Sequence, residues 1–196
     1  MLERFSEQLT DLLLMKGIID NENREIYTYG FVALFSTVIN IIIVLTIGII
    51  AGIALESIFF ILMFGILRMY CGGYHAETHV SCILIFTGIY GTAMITARLL
   101  PVEAGAFFSI IAGTFSFVVI LLLAPIEHKN KPFIDDEETK FRKISRIIAS
   151  MELISIYLIT AFFTTAIKAA VLISLAMLSV TFILFLAKAT EKRPAN

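Results

Sequence analysis

Apolar residues dominate this sequence in six runs, each long enough to cross a membrane. A helix needs about 20 mainly apolar residues to span the hydrocarbon core. The six predicted spans cover residues 29–51, 53–69, 80–97, 104–124, 147–167 and 169–187. The second is the weakest, because Glu56 lies near its start, and Lys168 alone separates the last two. The pattern predicts an all-α polytopic membrane protein with six transmembrane helices, in which residues 1–196 form a single integral-membrane domain.

The N-terminal segment, residues 1–26, follows a different pattern. Its apolar and acidic side chains recur at helical spacing on opposite faces, with Leu2, Phe5, Leu9, Leu12 and Leu13 facing away from Glu3, Glu7 and Asp11. This is typical of an amphipathic helix. We expect it either to lie at the interface of the inner leaflet or to pack on the bundle. It lacks the basic start, apolar run and cleavage site of a signal peptide, so none is expected.

Composition supports the membrane class and excludes one alternative. The chain is 59% hydrophobic and 16% charged, outside the range of soluble domains. Its formal net charge is −1. Nucleic-acid binding needs a basic face that displaces counterions from phosphates, so a nucleic-acid partner is excluded. The expected location is a lipid bilayer, the cell membrane, which the chain crosses several times.

The basic residues predict an orientation. With six spans, both termini share one side of the membrane with the connections at 68–79 and 125–146. Thirteen of the 15 Lys and Arg residues fall on that side, and only Arg98 and Lys168 fall on the other. Basic residues concentrate on the cytoplasmic side of membrane proteins. We therefore expect both termini and the polar loop 125–146 to be cytoplasmic.

The stretch RMYCGGYHAETHVSC, residues 68–82, concentrates the reactive side chains on that side. It holds both cysteines, Cys71 and Cys82, and two of the three histidines. The glycine pair Gly72–Gly73 predicts a turn before the third span. Ionisable groups at such a depth usually mark a functional site. Cytoplasmic thiols stay reduced, so a disulfide between the two cysteines is not expected.

The residues alone leave three interpretations of this stretch open. A cysteine nucleophile needs a base at about 3 Å. In a regular helix His79 meets Cys82, whereas His75 stands about 10 Å away along the axis unless the turn folds it back. Alternatively, His75, His79 and Cys82 form three metal ligands on one helical stripe, as in a metal-binding membrane protein or transporter. In the third interpretation, a non-catalytic scaffold, these residues only pack.

The same stretch resembles the accessory gene regulator B (AgrB) family, membrane cysteine endopeptidases that process quorum-sensing peptides. The matching elements are Arg68, Gly72, Gly73, "HA" at His75 and Ala76, and Cys82 seven residues after His75. Further along, "AP" at Ala124–Pro125 and "NKP" at Asn130–Pro132 also agree. Glu77 and His79 lie outside the motif, and so does Cys71.

The resemblance implies a function and a set of site residues. Cys82 would be the nucleophile and His75 its base, which selects His75 over His79. The implied substrate-contact residues are Arg68, Gly72, Gly73, Lys129 and Lys131. The implied partner is a small precursor peptide, AgrD-like, with an amphipathic leader and an acidic tail. Cleavage would leave an acyl-enzyme thioester that an internal cysteine or serine of the peptide closes into a thiolactone or lactone. No metal or cofactor is expected.

Two further sets of residues carry expectations. An oxyanion hole is required, and its plausible donors are backbone N–H groups near the glycine pair or at the start of the third span. Asn40 and Glu152 are polar groups inside apolar spans, and we expect them to pair within the bundle or between protomers rather than to act in catalysis. The small residues Gly105, Ala112 and Gly113 point to a homodimer through the fourth span.

Overall fold

The computed structural model describes residues 2–73, 79–127, 133 and 136–191, with the backbone alone for His79 and Glu191. Its α-helices are α1 (Leu2–Met15), α2 (Arg24–Ile50), α3 (Ala54–Cys71), α4 (His79–Leu99), α5 (Val102–Leu123), α6 (Glu137–Phe162) and α7 (Ile167–Glu191). The six helices α2 to α7 are long and apolar enough to cross a membrane. The predicted all-α polytopic fold is confirmed.

Helix α7 forms the centre of the bundle. In its apolar window 72% of the residues are buried, against 17–33% in the other five spans, and it contacts α3, α4, α5 and α6. Its small residues Ala170, Ser174 and Ala176 are fully buried, which lets the neighbouring helices approach closely. The outer helices keep broad apolar faces exposed, as contact with lipid tails requires.

The small residues of α5 are used within the protomer. A Cβ added to Gly105 would lie 2.8 Å from Cγ2 of Ile167, and one added to Gly113 would lie 2.7 Å from Cδ1 of Ile156. These glycines therefore let α5 pack closely on α7 and α6. The homodimer was inferred from these small residues, but they are used for packing within one protomer. The homodimer therefore stays a prediction, without an argument from these residues.

The last two spans begin and end differently from the prediction. The fifth span was expected over 147–167, but α6 covers Glu137–Phe162. Part of the predicted loop 125–146 is therefore helical. The break before α7 is a 3-10 turn at Thr164–Ala166, and Lys168 lies inside α7. Hydropathy identifies only the apolar part of a helix that crosses the membrane. Helix α6 begins before that part, with a charged end whose first turn carries acidic residues that suit a helix N-terminus.

Helix α1 packs along α2 in antiparallel fashion. The hydroxyl of Thr28 donates a hydrogen bond of 3.2 Å to Oγ1 of Thr10, and the rings of Phe5 and Phe35 lie 5.3 Å apart. The segment is therefore helical and packs on the bundle, and its location at the membrane interface stays a prediction. Phe5 and Met15 remain 52% and 80% exposed, forming an apolar edge of the kind that an interfacial helix turns toward lipid.

The glycine pair joins α3 to the segment after α5. Gly72 and Gly73 both have positive φ angles, 64° and 109°. The N–H of Gly73 donates to the Ile126 carbonyl at 3.1 Å, and the N–H of Ile126 donates to the Cys71 carbonyl at 3.0 Å. A Cβ on Gly73 would lie 3.3 Å from Cγ2 of Ile183 in α7. The predicted turn is thus also a junction of three parts of the bundle, which we call the glycine junction (Cys71–Gly73 with Ile126).

We predict that Gly72→Ala lowers the free energy of unfolding by about 2–4 kcal/mol. A side chain there would combine a left-handed backbone with a clash against the Ile126 carbonyl oxygen. The measurement is reversible unfolding in mixed detergent micelles. Gly52→Ala is the matched control, because Gly52 has a φ of 69° with nothing within 4 Å of an added Cβ. It should lose only about 1–2 kcal/mol, and equal losses would contradict the role given to the Ile126 contact.

Candidate functional site

Helix ends bring the candidate site residues to one end of the bundle. Consecutive spans run in opposite directions, so the end of α3, the start of α4 and the end of α5 meet on the same side. Arg68 lies in the last turn of α3, and Cys82 lies in the first turn of α4. The glycine junction lies between them. This end is where chemistry-bearing side chains gather.

The Cys82 thiol lies against the neighbouring helix α2. It is partly exposed, and the side-chain amide of Asn40 donates a hydrogen bond to its sulfur, with Nδ2 and Sγ 3.8 Å apart. Such bonds are long because sulfur is a weak acceptor. Asn40 is only 7% exposed, and its Oδ1 has no hydrogen-bond partner among the described residues. A buried amide on α2 thus meets the sulfur directly.

Arg68 supports the turn and brings charge to the site. Its guanidinium donates a hydrogen bond to the carbonyl of Gly72, as basic side chains near a helix C-terminus commonly do. Arg68 thus contacts the glycine junction, and it lies at the same end of the bundle as Cys82, on the helix that precedes α4.

The two cysteines occupy different environments. Cys71 is fully buried in the core. Glu152 in α6 is also buried, at 6% exposed, and its Oε2 has no partner in the described part of the chain. A nucleophile must be reachable by its substrate. On this criterion Cys82 is available and Cys71 is a packing residue.

The glycine junction limits the expected oxyanion donors. The N–H of Gly73 already donates to Ile126, so it is occupied. The other expected source was the start of the third span, which is the first turn of α4. The first N–H groups of a helix have no acceptor within the helix, so that source still fits the requirement.

Several predicted site residues lie outside the described residues. These are His75, Lys129 and Lys131, together with Glu77, and for His79 no side chain is described. The Cys82–His75 pair and the metal alternative therefore stay predictions. The connection that carries the two lysines continues from Ile126, the partner of the glycine junction.

Two contacts at the site escaped the sequence analysis. Asn40 was expected to pair within the bundle or between protomers, but nothing in the sequence identified Cys82 as what it meets. A lone amide within the apolar run of α2 was the available signal. The contact between the glycine pair and Ile126 had a weaker signal in the sequence, the "AP" at Ala124–Pro125 just before Ile126.

Fold and site together define a multi-pass α-helical membrane protein with a reachable cysteine among the helix ends on one side of its bundle. The model of the family Accessory gene regulator B matches residues 6–186 of the chain. The chain belongs to this family. Membership supports a role in the agr quorum-sensing system and implies work with an AgrD-like precursor in a membrane.

Similar proteins come from two genera. AgrB-like protein 2 of Clostridium perfringens is 32% identical over 164 residues, which cover 81% of this chain and 74% of that protein. AgrB-like proteins of Listeria innocua and Listeria monocytogenes are 28% and 27% identical over 161 residues, covering 80% of this chain and 77% of each relative. No solved structure is significantly similar to the chain.

We predict that iodoacetamide alkylates Cys82 at least about tenfold faster than Cys71 in the folded protein. The reason is that Cys71 is fully buried and Cys82 is partly exposed. Site-resolved mass spectrometry of a time course gives both rates. After denaturation in detergent the two rates should converge, and equal rates before denaturation would contradict the placement of the cysteines.

Proposed function

We propose that the protein is a membrane cysteine endopeptidase that cleaves a small autoinducer precursor peptide and enables its cyclisation. The observation that carries the proposal is the environment of Cys82. A partly exposed thiol stands at the start of α4, in contact with the amide of Asn40 and at the bundle end that also holds Arg68. The family of the chain supports the same activity.

The chemistry uses Cys82 as nucleophile and His75 as general base. His75 removes the thiol proton, and the sulfur attacks the carbonyl carbon of the scissile peptide bond. The carbon–nitrogen bond then breaks, His75 returns the proton to the leaving amine, and an acyl-enzyme thioester remains. An internal cysteine or serine of the precursor gives its proton to His75 and attacks this thioester. The carbon–sulfur bond to Cys82 breaks, the ring is released, and His75 returns the proton to the Cys82 sulfur. Ring closure outruns hydrolysis because the internal nucleophile is held close and water is scarce.

The glycine turn supports the pairing of His75 with Cys82. A regular helix through both residues would separate them by about 10 Å along its axis. Gly73, two positions before His75, has a backbone that no regular helix adopts, with a φ of 109°. A chain that turns here can return toward the first turn of α4, where Cys82 stands. We propose that this turn allows the His75 imidazole to reach the Cys82 thiol.

The position of Cys82 suits a peptide that binds at the membrane surface. Cys82 lies in the first turn of α4, at the bundle end that carries the glycine junction. An amphipathic leader peptide rests at the membrane interface, from which the chain that follows it can enter this end of the bundle. We therefore propose an AgrD-like precursor with an amphipathic leader and an acidic tail as the substrate.

The proposed substrate-contact residues are Arg68, Gly72, Gly73, Lys129 and Lys131. The two glycines belong to the glycine junction, and Arg68 hydrogen-bonds to it. A guanidinium suits a carboxylate or a peptide carbonyl of the precursor. The two lysines provide positive charge for its acidic tail, and such complementarity mainly favours encounter and register.

We predict that Cys82→Ala and Cys82→Ser each lower precursor cleavage by at least about 10³-fold, because the nucleophile is removed. Cleavage is measured by mass spectrometry in proteoliposomes supplied with an AgrD-like precursor. Cys71→Ala is the matched control and should cleave normally. With a precursor that lacks its internal nucleophile, the wild type should accumulate an acyl adduct on Cys82. Full cleavage by Cys82→Ala would overturn the proposal.

We propose further that both termini and Cys82 face the cytoplasm. The two basic residues on the opposite side, Arg98 and Lys168, lie in the last turn of α4 and at the start of α7, at the other end of the bundle. A C-terminal alkaline phosphatase fusion should therefore be inactive and a C-terminal fluorescent protein fusion bright. The reverse result would contradict the orientation.

A further inference from the structure

We infer that Asn40 is a further catalytic residue, whose side-chain amide stabilises the oxyanion formed when Cys82 attacks the peptide. The inference rests on the proposed function, since it names a donor for the same reaction. Asn40 touches the reacting sulfur atom, with Nδ2 and Sγ 3.8 Å apart. No other side-chain hydrogen bond to this sulfur occurs among the residues that the structure describes.

A purely structural role does not explain this amide. Asn40 interrupts an apolar run near the middle of α2 and is only 7% exposed. A polar group inside a membrane span is costly unless both of its polar atoms are satisfied. Nδ2 meets the sulfur of Cys82, a weak acceptor, and Oδ1 finds no partner in the described part of the chain. As a clamp between α2 and α4, the amide would therefore use one weak hydrogen bond and leave its oxygen unpaired.

Helix packing holds Asn40 and Cys82 in register. Gly48 lies eight residues after Asn40 in α2, and Tyr90 lies eight residues after Cys82 in α4. A Cβ on Gly48 would lie 3.3 Å from the Tyr90 hydroxyl, which hydrogen-bonds to Ser57 at 2.6 Å. The two helices therefore run parallel and stay level over two turns. The position of the amide beside the sulfur is set by the backbone and does not depend on one weak bond.

The charge movement of the reaction fits this position. When the carbon–sulfur bond forms, the π electrons of the carbonyl move to its oxygen, and the negative charge moves from sulfur to that oxygen. The oxygen lies two bonds from the sulfur. A rotation of the Asn40 side chain therefore brings its N–H from the sulfur to the oxygen. When the intermediate collapses, the electrons return, the carbon–nitrogen bond breaks, and the amine leaves with the proton of His75. Asn40 exchanges no proton.

Asn40 adds a side-chain donor to the backbone donors that remain. The N–H of Gly73 is occupied by Ile126. The first turn of α4, which holds Cys82, supplies backbone N–H groups without an acceptor in the helix. Asn40 reaches the sulfur from the neighbouring helix α2. A side-chain amide together with a backbone N–H is a common composition for an oxyanion hole.

The experiment compares two reactions of the same sulfur in full-length protein in proteoliposomes. Asn40→Leu keeps the size of the side chain and removes the donor. Cleavage of the AgrD-like precursor should fall about 10²–10³-fold. Alkylation of Cys82 by iodoacetamide should change by less than about threefold, because it requires a reachable sulfur but forms no oxyanion. Asn40→Gln, which keeps an amide one methylene further out, should recover part of the cleavage rate.

Matched measurements keep the inference separate from the proposed function. Ser116→Ala removes a buried hydroxyl in α5 that also has no partner among the described residues, and it should cleave normally. Protection of Cys71 from iodoacetamide reports folding, and if Asn40→Leu loses that protection, Asn40→Ser replaces it. Normal cleavage by the folded variant, or an equal fall of cleavage and alkylation, would overturn the inference. Cleavage that persists in Cys82→Ala would instead overturn the proposed function.

Discussion

The bundle end that carries the candidate site depends on the contact between the glycine pair and Ile126. Backbone N–H and carbonyl groups near the hydrocarbon must find partners within the protein. Helix α3 ends here, and the backbone carbonyl of Cys71 and the N–H of Gly73 pair with Ile126 in the segment after α5. Arg68 satisfies the carbonyl of Gly72. The junction therefore lets the chain turn at this depth and start α4 beside α2.

The position of Cys82 is set by the packing of α4 on α2. The first turn of α4 stands level with the middle of α2, where Asn40 lies. Cys71, eleven residues earlier on α3, points into the core and is fully buried. Two residues of one type thus differ in what they can do. Burial gives one a packing role, and partial exposure at a helix start makes the other available for reaction.

Amide and ionisable side chains within the apolar parts of the spans are few. Asn40 lies in the apolar run of α2 and meets the Cys82 thiol, and Arg68 lies in the last turn of α3 and binds the glycine junction. Such groups are costly at membrane depth and persist where they serve a function. Their position beside Cys82 and the glycine junction supports a reactive centre over a simple scaffold. Elsewhere small residues such as Gly105 and Gly113 provide close helix packing.

The sequence alone determined the class of fold, the number of spans, the turn at Gly72–Gly73 and the stretch that resembles the AgrB family. Hydropathy suffices for these because a bilayer admits only long apolar helices or closed barrels. The central place of α7, the joint with Ile126 and the contact between Asn40 and Cys82 came only from the tertiary structure. Lipid-facing and buried surfaces are equally apolar, so periodicity does not reveal which helices meet. A contact between residues 40 and 82 exists only once two parallel helices have packed in register.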